Sequence, residues 1–288
     1  MMDSFERERG GAVGEGLRLH VLASGSKGNC SVVEDVATGE LVVVDCGISF
    51  RAFRERCLAC GVDPARVGAV LVTHEHADHV KGLGVLTRGL AKLGAQPVVF
   101  ASAAVHEASA ELQAMQDAVD LRHFRAGERL CLGGVGAWAF RTSHDAAESF
   151  GYRFECGGVG GAGGAGEGDA IGFMTDTGVV TGEAAEALAG CRVLAIEANH
   201  DADMLAHGPY PAWLKAWIAG ERGHLSNAQS GELLGRLLDD RLECVVGMHV
   251  SQNNNEYRLA REALAGALAR AGHGARVLVG FQERAVSV

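Results

Sequence analysis

The chain has 288 residues, of which 48% are hydrophobic, and its formal net charge at pH 7 is −10. This length and apolar content are sufficient for a globular protein with a packed core. The negative charge argues against a protein that binds nucleic acid through a broad basic surface, but it does not exclude an enzyme whose bound cations meet phosphate groups.

The N-terminal segment, MMDSFERERGGAVGEG, is charged and rich in glycine. It lacks the apolar core of a signal peptide, and no later run reaches the roughly 18 to 20 apolar residues of a membrane span. We therefore predict a flexible extension over residues 1–16 and a cytoplasmic protein without membrane contact. The 8 cysteines are scattered and lie mostly within apolar segments, as reduced thiols do in that compartment.

After the extension, short β-branched runs alternate with helical patterns. The predicted strands are LRLHVLAS, CSVVED, ELVVVDCG, the run ending at Thr73, QPVVFAS, GAWAFRTSH, SFGYRFEC, AIGFMTDTG, CRVLAIEANH, ECVVGMHV and ARVLVGF. The predicted helices lie near residues 50–60, 80–94, 102–116, 182–189, 227–239 and 256–271. Because strands are paired early in each half and mixed with helices later, we predict an α/β fold of two mixed sheets packed face to face, with helices on the outer faces. A doubly wound sheet would require strict alternation.

One low-complexity stretch, GGVGGAGGAGEGD, covers residues 157–169. It does not lie between a strand and a helix, as a dinucleotide fingerprint would, so we interpret it as a flexible hairpin insertion between two strands. Neither an internal repeat nor an interdomain linker is recognisable. Residues 17–288 are therefore predicted to form a single domain.

Histidine or aspartate follows five of the predicted strands, in VTHEHADH, RTSHDAAES, MTDTG, IEANHDADM and GMHVSQNNN. Because equivalent strand ends converge on one edge of a layered sheet, we expect seven side chains to surround one volume: His74, His76, Asp78, His79, His144, Asp176 and His249. Without cations such a cluster would destabilise the fold. Imidazole and carboxylate donors suit Zn²⁺, Mn²⁺ and also Fe²⁺, and the set is too large for one tetrahedral ion, so two divalent metal ions are implied.

The run HEHADH resembles the H-x-H-x-D-H signature of the metallo-β-lactamase fold, and the downstream ligand candidates follow in the order that this family uses. The resemblance implies an αβ/βα sandwich with a dinuclear site. It further implies this division of the ligands: His74, His76 and His144 on one metal, Asp78, His79 and His249 on the other, and Asp176 as the bridge.

A narrower resemblance covers most of the chain. The segments VLASGSKGNCSVVE, LVTHEHADHVKGLGVL, SHDAAES, TDTG, EANHDADMLAHGPYP, GHLSN and HVSQNNN are similar to the YycJ (WalJ) family of metal-dependent DNA exonucleases. This implies a metal-dependent phosphodiesterase, namely a DNA 5′-to-3′ exonuclease in DNA repair or processing, with DNA as its partner. Two alternatives stay open: another hydrolase on the same metals, such as a small-molecule or cyclic phosphodiesterase or a thioester hydrolase, and a non-enzymatic metal-binding module.

Three residues are candidates for the chemistry. Asp78 is predicted to orient the nucleophile as well as to bind metal. The leaving oxygen of a phosphodiester needs a proton or a positive neighbour, and His224 and His200 can supply one. We favour His224, since a histidine just before the last ligand resembles the HST histidine of ribonuclease Z. The alternative role for both histidines is a hydrogen bond that supports a ligand.

Polar residues near these motifs are candidates for substrate binding. The segment SGSKGN, after the first strand, is typical of a phosphate cradle and equally of a hairpin turn. The segments GHLSN and SQNNN offer hydroxyl and amide groups that would otherwise cap helices. The substrate-binding candidates are Ser24, Ser26, Asn29, Ser226, Asn227 and Asn254.

Overall fold

The structure is a computed structural model that describes residues 16–157 and 168–288. Residues 1–15 of the predicted N-terminal extension and residues 158–167 of the predicted Gly-rich insertion lie outside the described residues. Two seven-stranded sheets form the framework.

Six strands of the first sheet come from the N-terminal part of the chain, and the last strand of the chain completes it. They are β1 (Leu17–Ala23), β2 (Cys30–Asp35), β3 (Leu41–Val44), β4 (Val67–Leu71), β5 (Val98–Ser102), β6 (Leu121–Phe124) and β14 (Val286–Ser287). Their spatial order is β14-β1-β2-β3-β4-β5-β6. The pairs from β14 to β3 are antiparallel and those from β3 to β6 are parallel, so the sheet is mixed.

The second sheet repeats this plan. Its strands are β7 (Arg129–Leu132), β8 (Val135–Arg141), β9 (Phe150–Cys156), β10 (Asp169–Met174), β11 (Val193–Glu197), β12 (Cys244–Met248) and β13 (Arg276–Val279), and their spatial order is β13-β12-β11-β10-β9-β8-β7. The pairs from β7 to β10 are antiparallel and those from β10 to β13 are parallel.

Ten α-helices connect the strands of the described part. They are α1 (Phe50–Ala59), α2 (Ala77–Val80), α3 (Leu83–Lys92), α4 (Ala103–Ala108), α5 (Ala110–Met115), α6 (Gly182–Leu188), α7 (Ala202–His207), α8 (Ala212–Ile218), α9 (Asn227–Leu237) and α10 (Tyr257–Arg270). The helix predicted over 102–116 is divided because Ser109 is extended, ending α4, and its hydroxyl accepts a hydrogen bond from the Leu112 amide to cap α5.

The core follows the two-residue period of the strands. In β11, Val193 and Ala195 belong to the main apolar cluster that includes both sheets, whereas Leu194 and Ile196 pack in a second cluster with residues of α6, α9 and α10. Helices therefore cover the other face of this sheet. The buried Tyr152 hydroxyl donates to the Val72 carbonyl oxygen at 2.7 Å and links the sheets.

The predicted architecture of two mixed sheets with outer helices is confirmed. Strands β6 and β7 were not predicted from the sequence, because their exposed faces carry Arg122, His123, Arg129 and Cys131, so that neither run is apolar throughout. Among the described helices, none is long and apolar enough to cross a membrane.

Candidate metal centre

The carboxyl ends of strands β8, β10 and β12, which alternate in the second sheet, and of β4 in the first sheet bring the predicted ligands together. The segment from His74 to His79 follows β4, and single residues follow β8, β10 and β12: His144, Asp176 and His249. The structure therefore places all seven predicted ligands at one edge of the sandwich, in overlapping groups whose ligand atoms lie within 4.8 Å of one another.

The first group contains His74, His76 and His144. The Nε2 atom of His144 lies 3.2 Å from Nδ1 of His76. The other ring nitrogens point away from the group, to Asp145 and Gly223: His76 Nε2 lies 2.8 Å from the carbonyl oxygen of Asp145, and His144 Nδ1 lies 3.1 Å from that of Gly223. These carbonyls hold the rings so that one nitrogen of each faces its partners, as in histidine ligands whose remote N–H is fixed.

The second group contains Asp78, His79 and His249. The Asp78 Oδ2 atom lies 3.6 Å from His79 Nε2 and 3.7 Å from His249 Nε2. On the far side of the His79 ring, Nδ1 lies 2.8 Å from Oδ2 of Asp45, a buried carboxylate that also accepts hydrogen bonds from Thr73. Asp45 therefore fixes the ring orientation of His79, and sequence reasoning did not identify it.

Asp176 lies between the two groups. Its Oδ2 atom is 3.4 Å from His79 Nε2, and its Oδ1 atom is 3.9 Å from His144 Nε2 and 2.9 Å from His249 Nδ1. Its backbone has φ of 56°, as does that of Asp45, and His249 has φ of 52°. A positive φ is uncommon outside glycine, although Asp and His adopt it more readily than most residues, and such conformations concentrate at functional sites.

The donor set fits bound cations. Among the described residues, three buried ligand atoms lack a hydrogen-bond partner: His74 Nε2, Asp176 Oδ2 and His249 Nε2. Burial alone would lower the pKa of the His79 and His249 imidazoles, but the nearby carboxylates, led by Asp176, raise it well above its usual value. The pocket thus favours positive charge, which divalent metals would supply through nitrogen and oxygen donors.

Glu197, at the end of β11, is a central residue that the sequence reasoning missed. Its fully buried carboxylate accepts hydrogen bonds from the amides of Asp176, Thr177 and Leu225. Its Oε1 atom also lies 2.8 Å from His224 Nδ1. Burial tends to raise the pKa of Glu197, but the imidazoles beside it lower it to about 2. The one available signal was a carboxylate closing the otherwise apolar run VLAIE.

The two proposed catalytic histidines differ in their surroundings. The His224 side chain is 12% exposed, its ring contacts those of His144 and His249, and its Nδ1 is bound to Glu197. His200 is buried and forms an isolated parallel bridge with Ser226. Burial lowers the pKa of His200 to about 4, so this imidazole is neutral near pH 7 and is less suited to donating a proton.

Most of the predicted substrate-binding residues hold the framework together. The amide nitrogen of Asn29 lies 3.1 Å from Asp78 Oδ2 and 3.0 Å from His79 Nε2, and the Ser24 hydroxyl accepts a hydrogen bond from the His249 amide. Three further candidates are also buried. Ser226 belongs to the capping box of α9, Asn227 forms an amide pair with Asn255, and Asn254 lies in the loop before α10. Ser26 alone of the six is exposed.

We expect Asp45→Asn to weaken metal binding about 10- to 100-fold, because loss of a partner that orients a ligand has that cost. Competition with a chromophoric chelator measures the change. Asp35→Asn is the matched control, since Asp35 is also buried and hydrogen-bonded, but to Ala37 and Thr38 in a turn. Equal metal affinity in Asp45→Asn and the wild type would contradict the role assigned to Asp45.

Comparisons with known proteins identify relatives over most of the chain. The model of a family described as the β-lactamase superfamily domain matches residues 41–249. The exodeoxyribonuclease YycJ of Bacillus anthracis is 31% identical over 260 residues, which are 90% of this chain and 92% of that protein. The exodeoxyribonuclease WalJ of Streptococcus pneumoniae serotype 2 is 31% identical over 264 residues, with 91% and 92% covered.

A solved structure supports the fold. The metallo-β-lactamase fold protein YhfI from Bacillus subtilis superposes with a TM-score of 0.68 and covers 94% of this chain and 100% of its own. Its sequence identity is 13%, so the likeness concerns the fold alone.

Proposed function

We propose that this chain, which belongs to the β-lactamase superfamily and within it to the YycJ/WalJ family of metal-dependent hydrolases, is a dinuclear phosphodiesterase that degrades DNA from its ends. The observation that carries the proposal is the pair of ligand groups joined by Asp176, beside a histidine held by Glu197. The 31% identity to two proteins named exodeoxyribonucleases supports DNA as the substrate. The same sequence similarity is the basis on which we propose a 5′-to-3′ direction, a role in DNA repair or processing, and a cytoplasmic location.

The proposed cofactors are two divalent ions, Zn²⁺ or Mn²⁺, with Fe²⁺ also compatible with the donors. The first would be held by His74, His76 and His144, the second by Asp78, His79 and His249, with Asp176 shared. When bound, such a pair lowers the pKa of water and stabilises both the attacking and the leaving oxygen of a phosphodiester.

Asp78 is suited to orient the attacking water. Burial tends to raise the pKa of Asp78, but the His79 and His249 imidazoles lower it to about 2, so the carboxylate stays ionised and accepts hydrogen bonds near neutral pH. Its side chain is 23% exposed, against 3% for Asp176, which leaves it open to solvent. The Asn29 amide holds Oδ2 in place.

His224 is suited to donate a proton to the leaving oxygen. Its Nδ1 lies 2.8 Å from Oε1 of the Glu197 carboxylate, and this hydrogen bond fixes the orientation of the ring. The Nε2 atom has no hydrogen bond to another described residue and remains for the substrate. His200 stays a second candidate, but its burial favours a supporting role.

Three basic side chains lie close in the chain to residues of the candidate metal centre, although the net charge of the whole chain is negative. Lys27 and Lys81 are exposed and adjoin each other through a hydrogen bond from Lys81 Nζ to the Lys27 carbonyl oxygen at 2.8 Å. Lys27 lies in the same loop as Asn29. On another side, the Arg222 guanidinium lies 3.2 Å from the His144 carbonyl oxygen. These three cations support contacts to the phosphates of a DNA strand.

The alternative is another hydrolase on the same metals, and the net charge of −10 favours it over a DNA enzyme. Turnover of bis(p-nitrophenyl) phosphate, a cyclic dinucleotide, a thioester and labelled DNA separates the candidates. Preference for a thioester or a cyclic dinucleotide over DNA would support the alternative.

We expect metal-loaded protein to degrade linear DNA and to leave a covalently closed circle of the same sequence intact, because the proposed enzyme requires an end. Linear duplexes labelled at the 5′ or the 3′ end, sampled over time, give the polarity. Early release of mononucleotides or short products from the 5′ end is the expected result. Equal cleavage of the circle and the linear duplex would identify an endonuclease.

A further inference from the structure

Helix α8 carries two exposed tryptophans, and one of them, Trp217, lies beside the candidate metal centre. Trp213 is 71% exposed and Trp217 is 37% exposed. They are four residues apart, so they lie on the same side of the helix, about one turn from each other. The other large apolar side chains that are exposed in the described part are aliphatic: Leu58, Val85, Leu93 and Val179.

Trp217 is fixed against the site. Its indole N–H donates to Oδ2 of Asp145 at 3.2 Å, and Asp145 directly follows the ligand His144. The centroid of the Trp217 ring lies 6.4 Å from that of His144 and 6.0 Å from that of His224. Arg222 also approaches Asp145, with Nη2 3.7 Å from Oδ1. The Trp217 indole is therefore positioned next to the proposed proton donor, and Trp213 lies about one turn away on the same side of α8.

Both tryptophan side chains remain exposed to solvent. A Trp side chain carries a large apolar surface, and leaving it in water forgoes the stabilisation that burial would give. Exposed indoles beside a proposed phosphodiesterase centre are suited to nucleobases, since every base offers a π-face and stacking tolerates any sequence. An enzyme that removes successive nucleotides requires this tolerance.

We propose that Trp213 and Trp217 form a stacking platform for unpaired nucleobases of the substrate strand and so hold its end at the metals. The inference rests on the proposed function and adds to it the recognition of single-stranded DNA by its bases. Trp217, beside His224, takes the base nearest the scissile phosphate, and Trp213 takes a base farther out.

Binding is tested without turnover. The chain has 3 tryptophans, and the third, Trp138, is partly buried with the Arg129 guanidinium 5.6 Å from its ring centroid. With Ca²⁺ present to suppress turnover, titration with a short single-stranded oligodeoxyadenylate is expected to quench the fluorescence of Trp138→Phe protein. An oligomer of the same length made of reduced abasic sites supplies the phosphates without the bases and is expected to quench little.

The matched variants are Trp213→Phe and Trp213→Leu, because phenylalanine keeps an aromatic face and leucine keeps only apolar volume. We expect Trp213→Leu to bind the oligodeoxyadenylate about 5- to 150-fold more weakly, the range for one stacked base, and Trp213→Phe to lose less. Binding of the abasic oligomer should be nearly equal in both. Leu58→Ala, which removes another exposed apolar side chain on α1, is expected to match the wild type.

Hydrolysis separates this inference from the proposed function. With Mn²⁺ loaded, wild-type protein is expected to prefer a normal 5′-terminal nucleotide over an abasic one, and Trp217→Leu to lose most of this preference. Hydrolysis of both ends at equal rates by the wild type, or equal binding by Trp213→Leu and Trp213→Phe, would overturn the platform while leaving an exonuclease. Absence of hydrolysis with normal base-dependent quenching would overturn the exonuclease while leaving the platform. The platform would also be overturned if DNA did not quench the fluorescence and the molar mass rose with concentration only when Trp213 is present. Helix α8 would then be a contact between copies of the chain.

Discussion

Asp176→Ala is expected to lower turnover by at least about 10³-fold, the upper range for losing one electrostatic stabiliser in an active site. Among the described residues, Asp176 is the one carboxylate within 4 Å of ring nitrogens of both ligand groups, through Oδ2 to His79 and Oδ1 to His144. Its removal would take a donor from both of the proposed metals, so the variant should also retain fewer than the two metal equivalents expected for the wild type. Inductively coupled plasma mass spectrometry measures the metal content, and labelled DNA measures turnover.

The fold of the Asp176→Ala variant should persist, because the side chain follows β10 and adds no apolar packing. Its circular dichroism spectrum should match that of the wild type. His76→Ala, which removes a ligand from one group only, should also abolish turnover. Asp120→Ala is the control, since Asp120 is an exposed aspartate paired with Arg122. Normal turnover in Asp176→Ala, or wild-type protein saturated by a single metal equivalent, would contradict the dinuclear assignment.

The ligand cluster was predictable from the sequence because it follows a regular rule of sheet geometry. Each ligand segment comes directly after an apolar run, and parallel neighbours end at the same edge. The pairing of β10, β11 and β12 brings Asp176 and His249 within 2.9 Å although they are far apart in sequence. The division into two mixed sheets with outer helices was predictable as well, because strands are paired early in each half of the chain and mixed with helices later.

Glu197 and Asp45 were not predictable in the same way. Each carboxylate lies at or just after the end of a buried strand and acts through hydrogen bonds to residues distant in sequence, such as Thr73 for Asp45 and Leu225 for Glu197. In the segment IEANHD, the sequence led us to propose His200 as a functional residue. In the structure, Glu197 of the same segment makes the contacts to the site. A carboxylate ending an apolar strand reads as an ordinary strand terminus until its partners are known.

The roles of the serines and asparagines near the motifs were not predictable from their residue type. Serine and asparagine near a motif are equally suited to substrate and to framework, and their type does not separate the two. Asn29 is buried against two ligands, and Asn227 pairs with Asn255. The short helix α8 was missed as well, because two tryptophans in seven residues give no clear apolar face. Hydrogen bonds to residues distant in sequence decided the roles of Asn29 and Asn227.

His224→Ala is expected to retain both metals and to bind DNA almost normally, while kcat falls about 10²- to 10⁴-fold, the usual contribution of a general acid. The reason is that protonation of the leaving oxygen stabilises the transition state more than the bound substrate. His224 is not among the predicted metal ligands, and its Nδ1 lies 3.9 Å from Asp176 Oδ1, beyond hydrogen-bond distance. Turnover kinetics, metal analysis and DNA binding in Ca²⁺ test the three parts separately.

The leaving group distinguishes a proton donor from a phosphate contact. Bis(p-nitrophenyl) phosphate releases p-nitrophenolate, which needs little protonation, so the loss in His224→Ala should be much smaller on this substrate than on DNA. His207→Ala is the control, because His207 is an exposed histidine on α7 whose Nδ1 contacts only its own helix, at the Asp203 carbonyl oxygen. An equal loss on both substrates would make His224 a phosphate contact, and loss of a metal would make it a support for the ligands. Glu197→Gln should then reproduce much of the leaving-group dependence, because it alters the hydrogen bond to Nδ1 that orients the His224 ring toward the substrate.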